Sequence, residues 1–164
     1  MGLYQDDEFC NLIRPIKSLD EYQMLKTVKH HGITRYEHSL RVAYYSYIIT
    51  KALKLDYKET TEAALLHDFF VDEVKGMNPI ERLRLHPESA VNNALKIVDL
   101  SDKQIDIIKT HMFPVTFTPP KYLESWIVDI IDDIASIFER GNNFRKQCKT
   151  AMIFLYVLFF INVK

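Results

Sequence analysis

At 164 residues the chain has room for one domain with a sizeable core. Hydrophobic residues make up 48% of it, which excludes a disordered chain. A net charge of -1 excludes a broad polyanion-binding surface, though not a small basic pocket for one phosphate.

Taken in order, residues 1–17 read as an N-terminal extension. Its acidic start lacks the basic and apolar regions of a signal peptide, and Asp6 stands where a myristoylation signal needs Ser or Thr. Ser18-Leu19-Asp20-Glu21 has the form of a capping box and predicts a helix through about Lys29. Thr34-Arg35-Tyr36-Glu37 repeats the form and predicts a long helix to about Lys54, with Leu40, Ala43, Tyr44, Tyr47 and Ile48 on its apolar face. A third helix starts at Asp56 and ends near His67-Asp68. Asn78-Pro79 starts another, His86-Pro87-Glu88 the next, through about Val98, and Ser101-Asp102-Lys103-Gln104 one that ends near His111. A proline-bearing loop, residues 114–121, leads to a last strong helix, Leu123 to Arg140, which Gly141 closes. On it Ile127, Ile130, Ile131, Ile134, Ile137 and Phe138 are expected to form the core stripe. With only four glycines and few strand-like alternations, the fold class is all-α.

Two features resist a purely structural reading. His67-Asp68 closes an apolar helical run, with His38, His86 and His111 at long spacings around it. Neutral imidazoles bind transition metals, and a carboxylate can bridge two of them. Asp129, Asp132 and Asp133 fall at i, i+3 and i+4 of the last helix, although any one of them alone reads as a solvated residue. The cysteines contribute nothing to such a site. Cys10 and Cys148 lack a metal-type spacing, and they fit a reduced cytoplasmic location.

The order of these residues resembles the HD superfamily of metal-dependent phosphohydrolases, whose pattern is a histidine, a His-Asp pair and a distal aspartate. The matching residues are His38 in Tyr36-Glu37-His38-Ser39-Leu40, His67-Asp68 in Leu65-Leu66-His67-Asp68, and Asp132 in Ile130-Ile131-Asp132-Asp133-Ile134. Asp133 departs from the basic residue usual after the distal aspartate. His86 and His111 match the two additional histidines of dinuclear subgroups, and His30-His31-Gly32 is similar to a segment of small bacterial HD hydrolases. The HD domain would span residues 18–141, leaving 142–164 as an apolar C-terminal helix or tail.

The resemblance implies that His38, His67, Asp68 and Asp132 hold one divalent transition metal, and that Asp68 bridges to a second held by His86 and His111. Mixed nitrogen and oxygen ligands suit iron, manganese or zinc. The substrate would be a small phosphorylated molecule of nucleotide type, attacked by a metal-activated hydroxide, with no nucleic-acid polymer as partner. Asp68 is the central catalytic candidate; Asp72 and Glu73 are acidic enough to serve as a proton shuttle, although residues at a helix exit read first as solvated. Arg35, Arg41, Lys75, Lys121 and His31 are candidates for substrate contact. Two other functions share the ligand set: a binding module without turnover, and an HD-type diiron oxygenase. The stretch Ala151 to Val163 is almost wholly apolar but shorter than the roughly 20 residues that span a bilayer. It is expected to bury itself or to make a homodimer contact, with membrane association the lesser reading.

Overall fold

The structure is a computed structural model that describes residue 4 and residues 6–30, 33–70 and 78–140. In chain order its elements are α1 (Asp7–Lys17), α2 (Asp20–Gln23), a 3-10 turn (Met24–Thr27), β1 (Lys29–His30), β2 (Ile33–Thr34), α3 (Arg35–Ala52), α4 (Tyr57–Leu66), α5 (Pro79–Ala94), α6 (Asp102–Thr110) and α7 (Leu123–Arg140). The fold is all-α, as expected, apart from the two-residue ladder in which β1 and β2 pair antiparallel. His31, Asp72, Glu73, Lys75, Cys148, the Gly141 cap and the apolar C-terminal stretch lie outside the described residues.

Three helices start on the caps that local sequence predicts. At the head of α3 the Glu37 carboxylate accepts from the Thr34 backbone N–H at 2.8 Å, while the Thr34 hydroxyl accepts from the Glu37 amide. Ser101 and Gln104 close the same box at α6, and the Asp56 carboxylate accepts from the Glu59 amide at α4. Each cap satisfies backbone donors that the first helical turn leaves unpaired.

The box expected at Ser18 does not form. Ser18 instead ends α1, with its backbone N–H donating to the Arg14 carbonyl and that of Leu19 to Ile16, and the chain turns briefly through α2 and the 3-10 turn before entering β1. The expected helix to Lys29 is lost because Leu19, which has no capping group, occupies the N-cap of α2. Pro87 likewise starts no new helix but lies inside α5. A proline there forfeits one backbone bond. Burial of His86, Pro87, Ala90, Val91 and Ala94 along one face favours a continuous helix across that gap.

The core forms around α3, which packs chiefly against α4 and α7, while α6 lies against α4, α5 and α7. Within the N-terminal stretch, α1 packs against α4 and buries Phe9, Ile13 and Ile16. The Phe9 ring meets Tyr44 edge-on at 5.1 Å, and Glu8 accepts from the hydroxyls of Tyr47 and Tyr57. On α7 the expected core stripe is only half right. Ile127 and Ile131 are buried, but Ile130 and Ile137 are about half exposed, at 49% and 50%. The inward face also carries Ser125, Asp129 and Asp132, so polar residues occupy positions that a hydrophobic count would assign to isoleucine. Among the described residues no helix is long and apolar enough to cross a membrane.

Candidate metal centre

Five helices deliver the histidines and aspartates to one buried cluster. His38 lies in the first turn of α3, and His67 and His111 are the C-cap residues of α4 and α6. Asp132 lies midway along α7. His86, expected near a helix start, lies in the middle of α5 because that helix runs through Pro87. His38, His67 and His111 are at most 1% exposed, Asp68 4%, Asp132 6% and His86 8%.

The helix ends explain how two of the rings are aimed. The last carbonyls of an α-helix have no intrahelical donor. In α4 the His67 Nδ1–H donates to the Ala64 carbonyl at 2.7 Å, and in α6 the His111 Nδ1–H donates to the Ile108 carbonyl at the same distance. A carbonyl can only accept, so each bond assigns the proton to Nδ1 and leaves Nε2 with a lone pair. His38 is fixed at Nδ1 by a side chain, its Nδ1–H donating to Glu139 Oε2 at 2.9 Å, but its Nε2–H donates to Asp132 Oδ1 at 2.7 Å, so this ring must shed the Nε2 proton before that nitrogen can bind an ion.

The Nε2 atoms of the four rings converge. His86 Nε2 and His111 Nε2 are 2.8 Å apart, and His38 Nε2 and His67 Nε2 are 3.3 Å apart. Two nitrogens each bound at about 2.1 Å to one ion stand about 3.0 Å apart at a right angle and about 3.4 Å at the tetrahedral angle. The donor set and its spacing therefore fit a shared cation. Asp132 Oδ1 approaches His38 Nε2 at 2.7 Å and His67 Nε2 at 3.5 Å, whereas Asp68 Oδ1 faces His86 Nε2 at 3.5 Å and His111 Nε2 at 3.8 Å. Three overlapping groups could each hold an ion: His38, His67 and Asp68; His67, His111 and Asp132; and Asp68, His86 and His111. Asp68 belongs to two of them. Asp133 faces solvent, so the geometry brings Asp132 and not its neighbour to the cluster.

The electrostatics divide the cluster in two. Burial pushes the His111 imidazole down to about 3, helped by His86 and His67, and burial also lowers His86. These rings are neutral, the form that binds metal. At His38 burial also works downward, but the Asp132 and Glu139 carboxylates outweigh it and push the ring up to about 10. His67 is raised too, by Asp132 against its own burial. Despite burial, the neighbouring histidines hold Asp132 below the usual carboxylate range, and the histidines with Arg35 do the same for Asp68. A cation at this site would therefore displace protons from the His38 side more than from the His86 side.

Of the residues expected to contact substrate, Arg35 is 5% exposed, donates to the Phe70 carbonyl at 2.6 Å, lies over the Phe70 ring and reaches Asp68 Oδ2 at 3.6 Å. Arg41 pairs with Glu139. Lys121 is exposed on the loop before α7, where its backbone N–H donates to Asp106. The sequence reading missed Glu139, whose side chain is 1% exposed, and Phe70, whose ring stacks on His86 at 5.2 Å. Phe70 follows the His-Asp pair by two residues, a closeness that could have flagged it. Glu139 carries no local signal.

These features define a buried, multi-helix histidine and aspartate site of the kind that holds divalent ions. The HD domain matches residues 35–137, and the chain belongs to that family, whose members are mostly metal-dependent phosphohydrolases. No curated protein matches the chain.

Proposed function

We propose that the chain is a metal-dependent phosphohydrolase acting on a small phosphorylated substrate: a nucleotide phosphodiester, polyphosphate or monoester. One observation carries this reading. Two pairs of imidazole nitrogens, 2.8 Å and 3.3 Å apart, face a common space with Asp68 at the overlap of their ligand groups. A bound divalent ion supplies Lewis acidity there, polarising a phosphoryl oxygen and easing deprotonation of water. In this reading His38, His67, Asp68 and Asp132 hold one ion, and Asp68, His86 and His111 hold a second. Arg35 orients the Asp68 carboxylate from its own place against Phe70. Asp72 and Glu73 carry the proton relay, and His31 and Lys121 meet the substrate phosphate. Iron, manganese and zinc all suit this donor set.

The test is elemental analysis of chain purified without chelator, followed by a screen of nucleotide diesters, polyphosphates and monoesters. About two ions per chain with hydrolysis that EDTA abolishes is the expected result. Asp68→Ala should lose that hydrolysis while keeping its helical circular dichroism, and full turnover in this variant would remove Asp68 from the site. Hydrolysis that survives complete removal of metal would overturn the mechanism. Metal uptake with no turnover across the screen would favour a binding module, and oxygen consumption with a diol or phosphonate would favour an oxygenase.

A further inference from the structure

His38 is gripped at both ring nitrogens by the same helix. Asp132 and Glu139 lie seven residues apart on α7, two turns along one face. The Asp132 carboxylate meets Nε2 at 2.7 Å, and the Glu139 carboxylate meets Nδ1 at 2.9 Å. The other oxygen of Glu139 accepts from Arg41, which lies one turn beyond His38 on α3. Arg41 remains 24% exposed while the Glu139 side chain is 1% exposed, so the guanidinium is the partner that makes a buried carboxylate tolerable here. His67 and His111 differ, because their Nδ1–H groups rest on the neutral carbonyls of Ala64 and Ile108. Among these three rings only His38 rests on a charged group.

We infer that Glu139 is a positioning residue for the centre: it holds the His38 ring with Nδ1 protonated and Nε2 turned to the ion, and Arg41 holds Glu139 in place. The inference rests on the metal reading above. Carboxylates behind ligating histidines fix ring orientation, and losing one weakens metal binding by roughly 10–100-fold. A purely structural tie between α3 and α7 would leave that affinity unchanged.

The experiment is a zinc titration against a competing chelator on the wild-type chain, Glu139→Gln and Glu139→Ala, with thermal unfolding of the metal-free forms alongside. Glu139→Ala should bind the zinc attributed to His38 and Asp132 roughly 10–100-fold more weakly. Glu139→Gln, whose amide oxygen can still accept from Nδ1–H, should recover part of the loss, and it carries the test if the alanine variant does not fold. In both variants the zinc attributed to His86 and His111 should keep its affinity. Wild-type affinity in both variants, whatever their melting temperatures, would overturn the inference alone. A wild-type chain that takes up no ion even after reconstitution would overturn the metal reading, and the role of Glu139 would fall with it.

Discussion

Asp68 and His111 show how much of the site depends on where single atoms are held. His111 is fully enclosed, and its Nε2 lies 2.8 Å from that of His86. With Nδ1 committed to Ile108, the ring has nothing but Nε2 to offer. Replacing it with alanine should lower bound metal from about two ions per chain to about one, read by elemental analysis, while the His38 side stays loaded. Asp129 offers a contrast. It lies one turn before Asp132, is 4% exposed, and has one carboxylate oxygen without a hydrogen-bond partner. Burial, with Asp133 and Asp132 adding repulsion, pushes its pKa up to about 7. The folded state thus binds more protons than the unfolded state between the ordinary carboxylate range and about 7, so this group's contribution falls as pH rises through that window. In metal-free protein, Asp129→Asn should melt at a higher temperature than wild type at pH 8, with the difference closing near pH 4. Equal melting temperatures at pH 8 would mean that the carboxyl ionises there without penalty.

At the scale of elements, α4 and α6 aim their terminal histidines by one device, a C-cap ring bonded to a carbonyl three residues back. The ring direction is therefore a property of the helix end, and packing α4 against α6 brings two such ends together. Helix α1 contributes stability from a distance. Phe9 is completely buried against Tyr44 and Tyr47, and α1 packs on α4, the helix that ends in His67. Phe9→Ala should cost about 3–5 kcal/mol in urea unfolding. A loss under about 0.5 kcal/mol, the range of surface substitutions, would show that α1 is dispensable to the core.

For the whole molecule, the site joins what the chain separates. The pairs across it link residues 29, 94 and 101 positions apart, and ligand candidates come from α3, α5 and α7 and the ends of α4 and α6. An ion held by groups on several helices binds the folded chain far better than the unfolded one, so it stabilises by mass action, about 2.7 kcal/mol at a free concentration one hundred times its Kd. Dialysis against chelator should lower the melting temperature, and adding back zinc or manganese should restore it. A melting temperature indifferent to both would count against a cross-helix centre.

Local chemistry made much of this legible in the amino-acid order. Capping boxes act over three residues, so Thr34 with Glu37 and Ser101 with Gln104 announced α3 and α6 without help from the rest of the fold. The histidines and the His67-Asp68 pair were visible for a similar reason, since metal ligands are drawn from few residue types. Tertiary structure decided the remainder. Ser18 had the pattern of a cap, yet it ends α1, a helix that packs on α4. Ile130 and Ile131 are indistinguishable by composition, but only Ile131 faces the core. Asp132 faces the histidines while Asp133 faces solvent, because a helix turns about 100° per residue and only its docking sets which face points inward. Arg41 and Glu139 lie 98 positions apart, beyond the reach of any local rule, and they meet only once α3 and α7 have packed together.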